Sequence, residues 1–169
     1  DLQTNYTNSS RNSIRPKVGF TFEKNKYSFN FNSSTSMMDY DNHSIYLKKD
    51  TELNKKYFLP YVNAQIRYKL DRSKYLTLKY DYDNKLPTPV QIIPVANLSN
   101  PLVTFIGNPE LDPNSTHTGS LNFNNYNFRE RSGYNLYIKT NFFEHEIVST
   151  SVFDANGKKT TSYVNVNDT

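Results

Sequence analysis

The strongest constraint on this chain is a pair of strictly alternating runs within residues 61–83, joined by a tight polar turn. In the first run Val62, Ala64, Ile66, Tyr68 and Leu70 fall on one face, with Tyr61, Asn63, Gln65, Arg67 and Lys69 on the other. After Asp71-Arg72-Ser73-Lys74, the second run sets Leu76, Leu78, Tyr80 and Tyr82 against Thr77, Lys79, Asp81 and Asp83. A period of two describes a strand with two chemically different faces. Each run is about ten residues, the length a tilted strand needs to cross a bilayer. Alternation at that length, a short turn and tyrosines at the strand ends predict the wall of a transmembrane β-barrel. A soluble sandwich also alternates, so this pair alone leaves both architectures open.

Composition narrows the choice. Only 36% of the 169 residues are hydrophobic, yet 15% are aromatic, with 14 Tyr and 11 Phe. Disordered chains share the low hydrophobicity but lack the aromatics. A barrel wall reconciles the two, because half of each strand faces a polar lumen. Cysteine is absent, which excludes a disulfide scaffold and a thiolate zinc site. No run of about 18 apolar residues is present, so a transmembrane helix is excluded. Asp1-Leu2-Gln3-Thr4 has neither a basic nor an apolar leader region, and the expectation is that the chain begins inside a longer one. The net charge of +4 comes from scattered Lys and Arg rather than a stripe, so nucleic acid is not an expected partner.

Along the chain, the first sixteen residues read as a loop or a strand end. Alternation starts at Lys17, with Val18, Phe20 and Phe22 against Lys17, Thr21 and Glu23. Lys24-Asn25-Lys26 reads as a turn, and Tyr27, Phe29 and Phe31 share a face after it. Residues 33–42 continue that strand above the membrane and then loop. Residues 44–49 form a short strand, 50–55 a charged turn, and Pro60 belongs at a strand start or an edge because it lacks a ladder donor. Residues 86–115 differ in kind: Pro87, Pro89, Pro94, Pro101, Pro109 and Pro113 punctuate them, and long loops of this sort are functional or mobile. Strands resume over 116–128, 134–143, 144–153 and 159–166, the last two flanking Asp154-Ala155-Asn156-Gly157, a strong hairpin signal. The expected fold is all-β: an antiparallel up-and-down meander of about eight strands with no helix.

Candidate chemistry is sparse. Of the three histidines, His145 lies in Glu144-His145-Glu146, but on a strand Glu144 and Glu146 face away from it, so no clamp for a metal forms. His43 reads as loop and His117 as a strand start. Asp39, Asp41, Asp81 and Asp83 are read as lining of the lumen rather than a calcium site. No nucleophile elbow, phosphate loop or dinucleotide fingerprint is present, and neither an enzyme nor a cofactor is expected. Tyr57, Tyr61, Tyr75, Tyr80 and Tyr82 near strand ends read as an interfacial girdle.

The segment Leu86-Pro87-Thr88-Pro89-Val90-Gln91-Ile92-Ile93-Pro94-Val95, followed by Asn100-Pro101-Leu102 and Gly107-Asn108-Pro109-Glu110-Leu111-Asp112-Pro113, resembles the C-terminal barrel of TonB-dependent receptors. It is most similar to the large outer-membrane β-barrel family of Bacteroidetes; Ile92 or Ile93 stands where that family often has Leu. The resemblance implies that residues 1–169 are one partial segment of a larger barrel of about 22 strands. In that reading 1–85 and 116–169 supply strands and hairpins, and 86–115 is a long extracellular loop. It also implies a place in the outer membrane of a Gram-negative bacterium. The implied role is import of a scarce solute: a siderophore, cobalamin, a glycan or a peptide. Implied partners are the TonB complex, reached through an N-terminal part, the imported solute, outer-membrane lipid and a surface lipoprotein. With 86–115 closing over ligand, its amides Gln91, Asn97, Asn100 and Asn108 are the candidate contacts. The alternative reading is a soluble extracellular β-sandwich that binds carbohydrate or protein.

Overall fold

Two-faced strands need a register that keeps like faces together, and the chain achieves this with short turns at one end. The computed structural model describes residues 6–46, 49–94, 97–100 and 102–166. It begins with β1 (Tyr6–Ile14), β2 (Lys17–Lys24), β3 (Tyr27–Tyr46), β4 (Lys49–Lys69) and β5 (Lys74–Lys85). A connection follows that holds α1 (Pro89–Ile92), β6 (Asn97–Asn100) and β7 (Val103–Phe105). Then come β8 (Asn114–Asn127), β9 (Ser132–Glu144), β10 (Glu146–Phe153) and β11 (Lys159–Val166). The main sheet has the order β1-β3-β4-β5-β8-β9, all antiparallel, with β2 also paired to β3. Among the described residues the outer edges of β9 and of β1 and β2 carry no neighbour, so the sheet is an open arc.

β1 and β2 are one line broken at Pro16. β1 pairs from Tyr6↔Ile45 to Ile14↔Met37, and β2 from Lys17↔Ser34 to Lys24↔Tyr27. Across the break the Thr35 amide donates to the Pro16 carbonyl at 3.2 Å. Of the loop or strand end expected over the first sixteen residues, residues 6–14 form a full strand. Similarly β3 runs unbroken to Tyr46, and residues 50–55 are strand rather than turn. Positive φ at Asn25 (51°) and Arg131 (50°) closes the short turns, as the handedness of tight hairpins requires. Asn127 Oδ1 also accepts from the Arg129 and Glu130 amides.

Pro60 lies inside β4, opposite Thr35. The Lys69 amide donates toward β3, to the Lys26 carbonyl, so odd-numbered β4 amides face β3 and even-numbered positions face β5. The nitrogen of Pro60 thus points to the β5 side, just past the last β4–β5 pair, Val62↔Tyr82. The missing donor falls where that ladder has ended, and the Asn84 side-chain amide donates to the Pro60 carbonyl there. Pro60 sits mid-strand yet at a local edge.

The pairing aligns the apolar faces into rows that cross the whole sheet. Phe22, Phe29, Ile66, Leu78, Leu121 and Ile138 form one row, and Tyr27, Tyr68, Leu76, Phe123 and Leu136 the next. No layer packs over these rows: Ile138 is 56% exposed, Ile66 48% and Phe22 46%, with the others between half-buried and exposed. A continuous exposed apolar face of this extent marks an interaction or membrane surface. A soluble sandwich would bury it under a second sheet, and no second sheet covers it among the described residues. Along β5 the apolar outer positions run from Leu76 to Tyr82, roughly 20 Å of strand at about 3.3 Å per residue. That approaches the apolar band of about 25 Å in transmembrane barrels.

Aromatics bound this band. At the end with the short turns Tyr27 and Tyr68 pack at 4.9 Å; at the other end Tyr82 and His117 pack at 4.6 Å. Tyr80 OH shares a hydrogen bond of 2.8 Å with His117 Nδ1. The expected girdle is corrected in part. Tyr80 and Tyr82 belong to it, whereas Tyr57, Tyr61 and Tyr75 lie on the opposite, inner face, by the parity of their pairs.

Candidate functional site

The inner face is polar from edge to edge. Asn32 Nδ2 donates to Asn63 Oδ1 at 3.5 Å, and Asn63 Nδ2 to Asp81 Oδ1 at 2.6 Å. Lys79 Nζ pairs with Asp81 at 3.1 Å. One row away Arg67 Nε donates to Thr77 Oγ1 at 3.3 Å, with its guanidinium 5.1 Å from the Tyr75 ring centre. These groups are too polar for a packed core and too ordered for an ordinary surface, which fits the lining of a water-filled lumen. Asp81 and Asp83 take the expected lumenal face. Asp39 and Asp41 do not: they lie on the outer face above the apolar band, Asp39 3.8 Å from Lys56.

Above the band, β3 and β4 extend upward and a cap closes over their inner side. The cap is built from the described residues between 86 and 113 and from the β10–β11 hairpin. Its small sheet has the order β10-β11-β7-β6, and β7 joins β11 in parallel through pairs Lys159↔Val103 to Thr161↔Phe105. This parallel pair departs from the expectation of antiparallel neighbours throughout. The Ile106 amide donates to Thr161 O at 3.0 Å and the Lys159 amide to Leu102 O at 2.9 Å. The hairpin turn forms where Asn156-Gly157 predicts it. Gly157 takes φ 77°, and Asp154 Oδ1 accepts from the Asn156 and Lys158 amides, each at 2.9 Å.

The Gly107–Pro113 string has a mechanical role that its sequence does not announce. A Cβ on Gly107 would stand 2.2 Å from the Ile93 carbonyl oxygen, so only glycine lets the two backbones meet. Next to it the Asn108 amide donates to Gln91 O at 2.7 Å, and Asn108 Nδ2 to Tyr163 O at 2.9 Å. Asn165 imitates a strand neighbour: its Oδ1 accepts from the Asp112 amide at 2.8 Å and its Nδ2 donates to Asp112 O at 3.1 Å. Asn165 Nδ2 also reaches His145 O at 2.6 Å, holding the link between β9 and β10. His145 takes φ 57° there, so the strand expected over 144–153 breaks after Glu144. Among the described residues no group of three metal-ligating side chains forms, at Glu144-His145-Glu146 or elsewhere.

The cap carries the apolar core of the structure. Leu111 is 1% exposed and Ile92 2%, joined in the buried set by Met38, Tyr40 and Leu59 of the extended strands. Lys55 Nζ donates to the Leu111 carbonyl at 3.5 Å, seating the segment on β4. Burial, with Tyr40 and Asp112 adding, pushes the Tyr57 phenol, which lies above the membrane band, up to about 12. It stays neutral at any ordinary pH. Fully burying a leucine contributes about 1.5–3 kcal/mol, and truncating one in a packed core costs about 2–5 kcal/mol. Leu111→Ala is expected to loosen the seated cap by about 2 kcal/mol. Hydrogen exchange of the Ile106 and Lys159 amides checks this: both should exchange roughly thirtyfold faster while β4–β5 amides keep their protection.

The sequence-derived contacts divide. Gln91 closes the one-turn helix α1, its Oε1 accepting from the Thr88 amide and hydroxyl, each at 2.8 Å. Asn108 ties the cap to β11 as described. Only the backbone of Asn97 and Asn100 is described, in β6. Elsewhere the structure forms a cleft of about 500 Å³ on the inner wall, between the cap core and the band. Ser36 and Leu59 bound it above, Gly19 and Asn32 below, with Arg15, Lys17, Tyr61 and Asp83 around it. Sequence reading placed Lys17 on a strand but gave Arg15 no role, because the first sixteen residues read as a loop or a strand end. One signal was present: Arg11, Arg15 and Lys17 share odd parity, placing their positive charges on one strand face.

The family model described as outer membrane protein beta-barrel family matches residues 4–169. No curated protein matches the chain, and no solved structure does.

Proposed function

The chain belongs to the outer membrane protein β-barrel family, and from that premise we propose that it forms part of the wall and cap of a TonB-dependent receptor. Such a receptor imports a scarce solute (a siderophore, cobalamin, glycan or peptide) across the outer membrane of a Gram-negative bacterium, without enzymatic chemistry. The observation that carries the reading is the division of one sheet into an uncovered apolar face and a polar inner face that ends under a folded cap. Lipid covers the first, and solute passes the second. Long connections lie on the extracellular side of such barrels and short turns on the periplasmic side, which sets the cap outside. Further partners in this reading are the TonB complex, engaged through a part of the receptor N-terminal to this segment, and a surface lipoprotein at the cap. Nucleic acid has no role.

The test has two steps. Fractionation of the complete protein should place it in the outer membrane as a band whose gel mobility changes on heating. Deleting residues 94–109 should then abolish solute uptake while the heat-modifiable band persists. A soluble protein indifferent to heating would sink the membrane reading. Normal uptake by an assembled deletion variant would remove the cap from the transport cycle.

A further inference from the structure

The cleft below the cap holds polar groups that lack partners among the described residues. Arg15 and Lys17 line it and form no ion pair among the described residues. Ser36 is 4% exposed, and its hydroxyl has no hydrogen-bond partner. A buried hydroxyl normally finds one, so this one points to a missing polar neighbour. Across the cleft stands Asp83, whose carboxylate accepts from the adjacent Asn84 amide at 2.9 Å. The Tyr61 ring lies between the two sides in sheet order. At about 500 Å³ the cleft falls within the roughly 300–1,000 Å³ range of small-molecule sites.

We infer that this cleft binds an acidic saccharide: a carboxylate together with several hydroxyl groups, about the size of a disaccharide. The import reading supplies the setting, and this inference rests on it and adds the substrate class. The Arg15 guanidinium offers a planar fork matched to a carboxylate, and Lys17 adds a second positive charge. Ser36 gains the partner it lacks by exchanging hydrogen bonds with a ring hydroxyl. Asp83 accepts from sugar hydroxyls, and the Tyr61 ring packs on the C–H face of a pyranose. A compact anion such as phosphate fits less well, because it carries no hydroxyl array to offer Asp83 and leaves most of the volume empty. Cations on one side and a carboxylate on the other select a ligand that is itself two-ended.

The test is isothermal calorimetry on the complete receptor, purified in detergent and shown to be heat-modifiable. An acidic disaccharide of one galacturonate and one galactose, and the uncharged digalactose of the same linkage, serve as probes. The acidic probe should bind at least about tenfold more tightly. Arg15→Ala with Lys17→Ala should remove that preference, and Ser36→Ala should weaken both sugars about three- to tenfold, the range of one hydrogen bond. Arg15→Gln serves as the milder variant should the double one not assemble. Equal affinity for the two probes, an unchanged preference in the Arg15 variants, or full displacement by inorganic phosphate overturns the inference. The import reading is scored apart, by receptor-dependent growth on mixed solutes. Import without binding of the acidic probe removes the cleft assignment alone. Binding of the acidic probe through Arg15 and Lys17 without any import leaves the cleft standing and removes the transport reading.

Discussion

Replacing Leu78 and Leu121 together by arginine is expected to abolish assembly of the complete protein in the outer membrane. The two face each other on the outer surface, in the row that continues to Ile66 and Ile138. An arginine facing lipid at the bilayer midplane costs about 2–4 kcal/mol, and two directly opposed cations also repel. The combined loss rivals the whole stability of a typical domain, about 5–15 kcal/mol. The heat-modifiable band should vanish and the chain should accumulate as an aggregate or be degraded. Thr118→Arg supplies the contrast. It sits on the inner face opposite Asp81, where a cation meets water and a carboxylate, and it should assemble at the normal level. If the double variant assembled normally, the outer face could not be facing lipid.

Gly107→Val is the second substitution with a large expected effect, and it strikes a different layer. The obstructing atoms belong to the Ile93 backbone, at 2.2–2.8 Å from the new Cβ, so no side chain can turn aside. Overpacking typically costs about 1–3 kcal/mol, and a clash with main chain lies at or beyond the upper end. At about 3 kcal/mol the seated cap loses more than a hundredfold in population. Its ties to β11 through Asn108, and to Asn165 through Asp112, open with it. Limited proteolysis should then cut within residues 94–113, and uptake should fall to the level of the 94–109 deletion. The wall should keep its heat-modifiable band, since none of its strand pairing involves Gly107. A protease-resistant cap in this variant would disprove the close approach of the two backbones.

The wall was legible in the sequence wherever its outer face meets lipid, because there alternation is chemical as well as geometric. Residues 61–83, 17–31 and 134–143 show it, and their faces fall as read. Above the band both faces meet water or the cap. Residues 6–14 and 33–46 there are mostly Asn, Ser, Thr and Asp, which carry no period that distinguishes strand from loop. The β3–β4 partnership, not local propensity, makes them strands. The cap was the least legible part. β7 has three residues and pairs with a strand far along the chain, a relation that no local pattern encodes. The helix α1 did leave a trace in Thr88-Pro89-Val90-Gln91, a cap residue, a proline at the first turn and a glutamine three places on. The motif that carried the family resemblance proved to be the fastening of the cap. The cleft went unseen because its lining comes from four different strands, which no local pattern brings together.

The parallel pairing of β7 with β11 sets an order of events. Asn108 and Tyr163, which lie beside that seam, are 55 residues apart in sequence. The entropy of closing so long an interval is lost before any contact of the cap forms. β8 and β9 lie within the interval and pair with each other through a local hairpin, while β8 reaches β5 across the cap segment itself. The lid is therefore the last thing to be completed, and its presence certifies that the strands beneath it are already in register. A wall whose β8 and β9 have not yet paired has no seam to hold the cap, which then stays open to proteases. The cap thus cannot close before the wall beneath it is built.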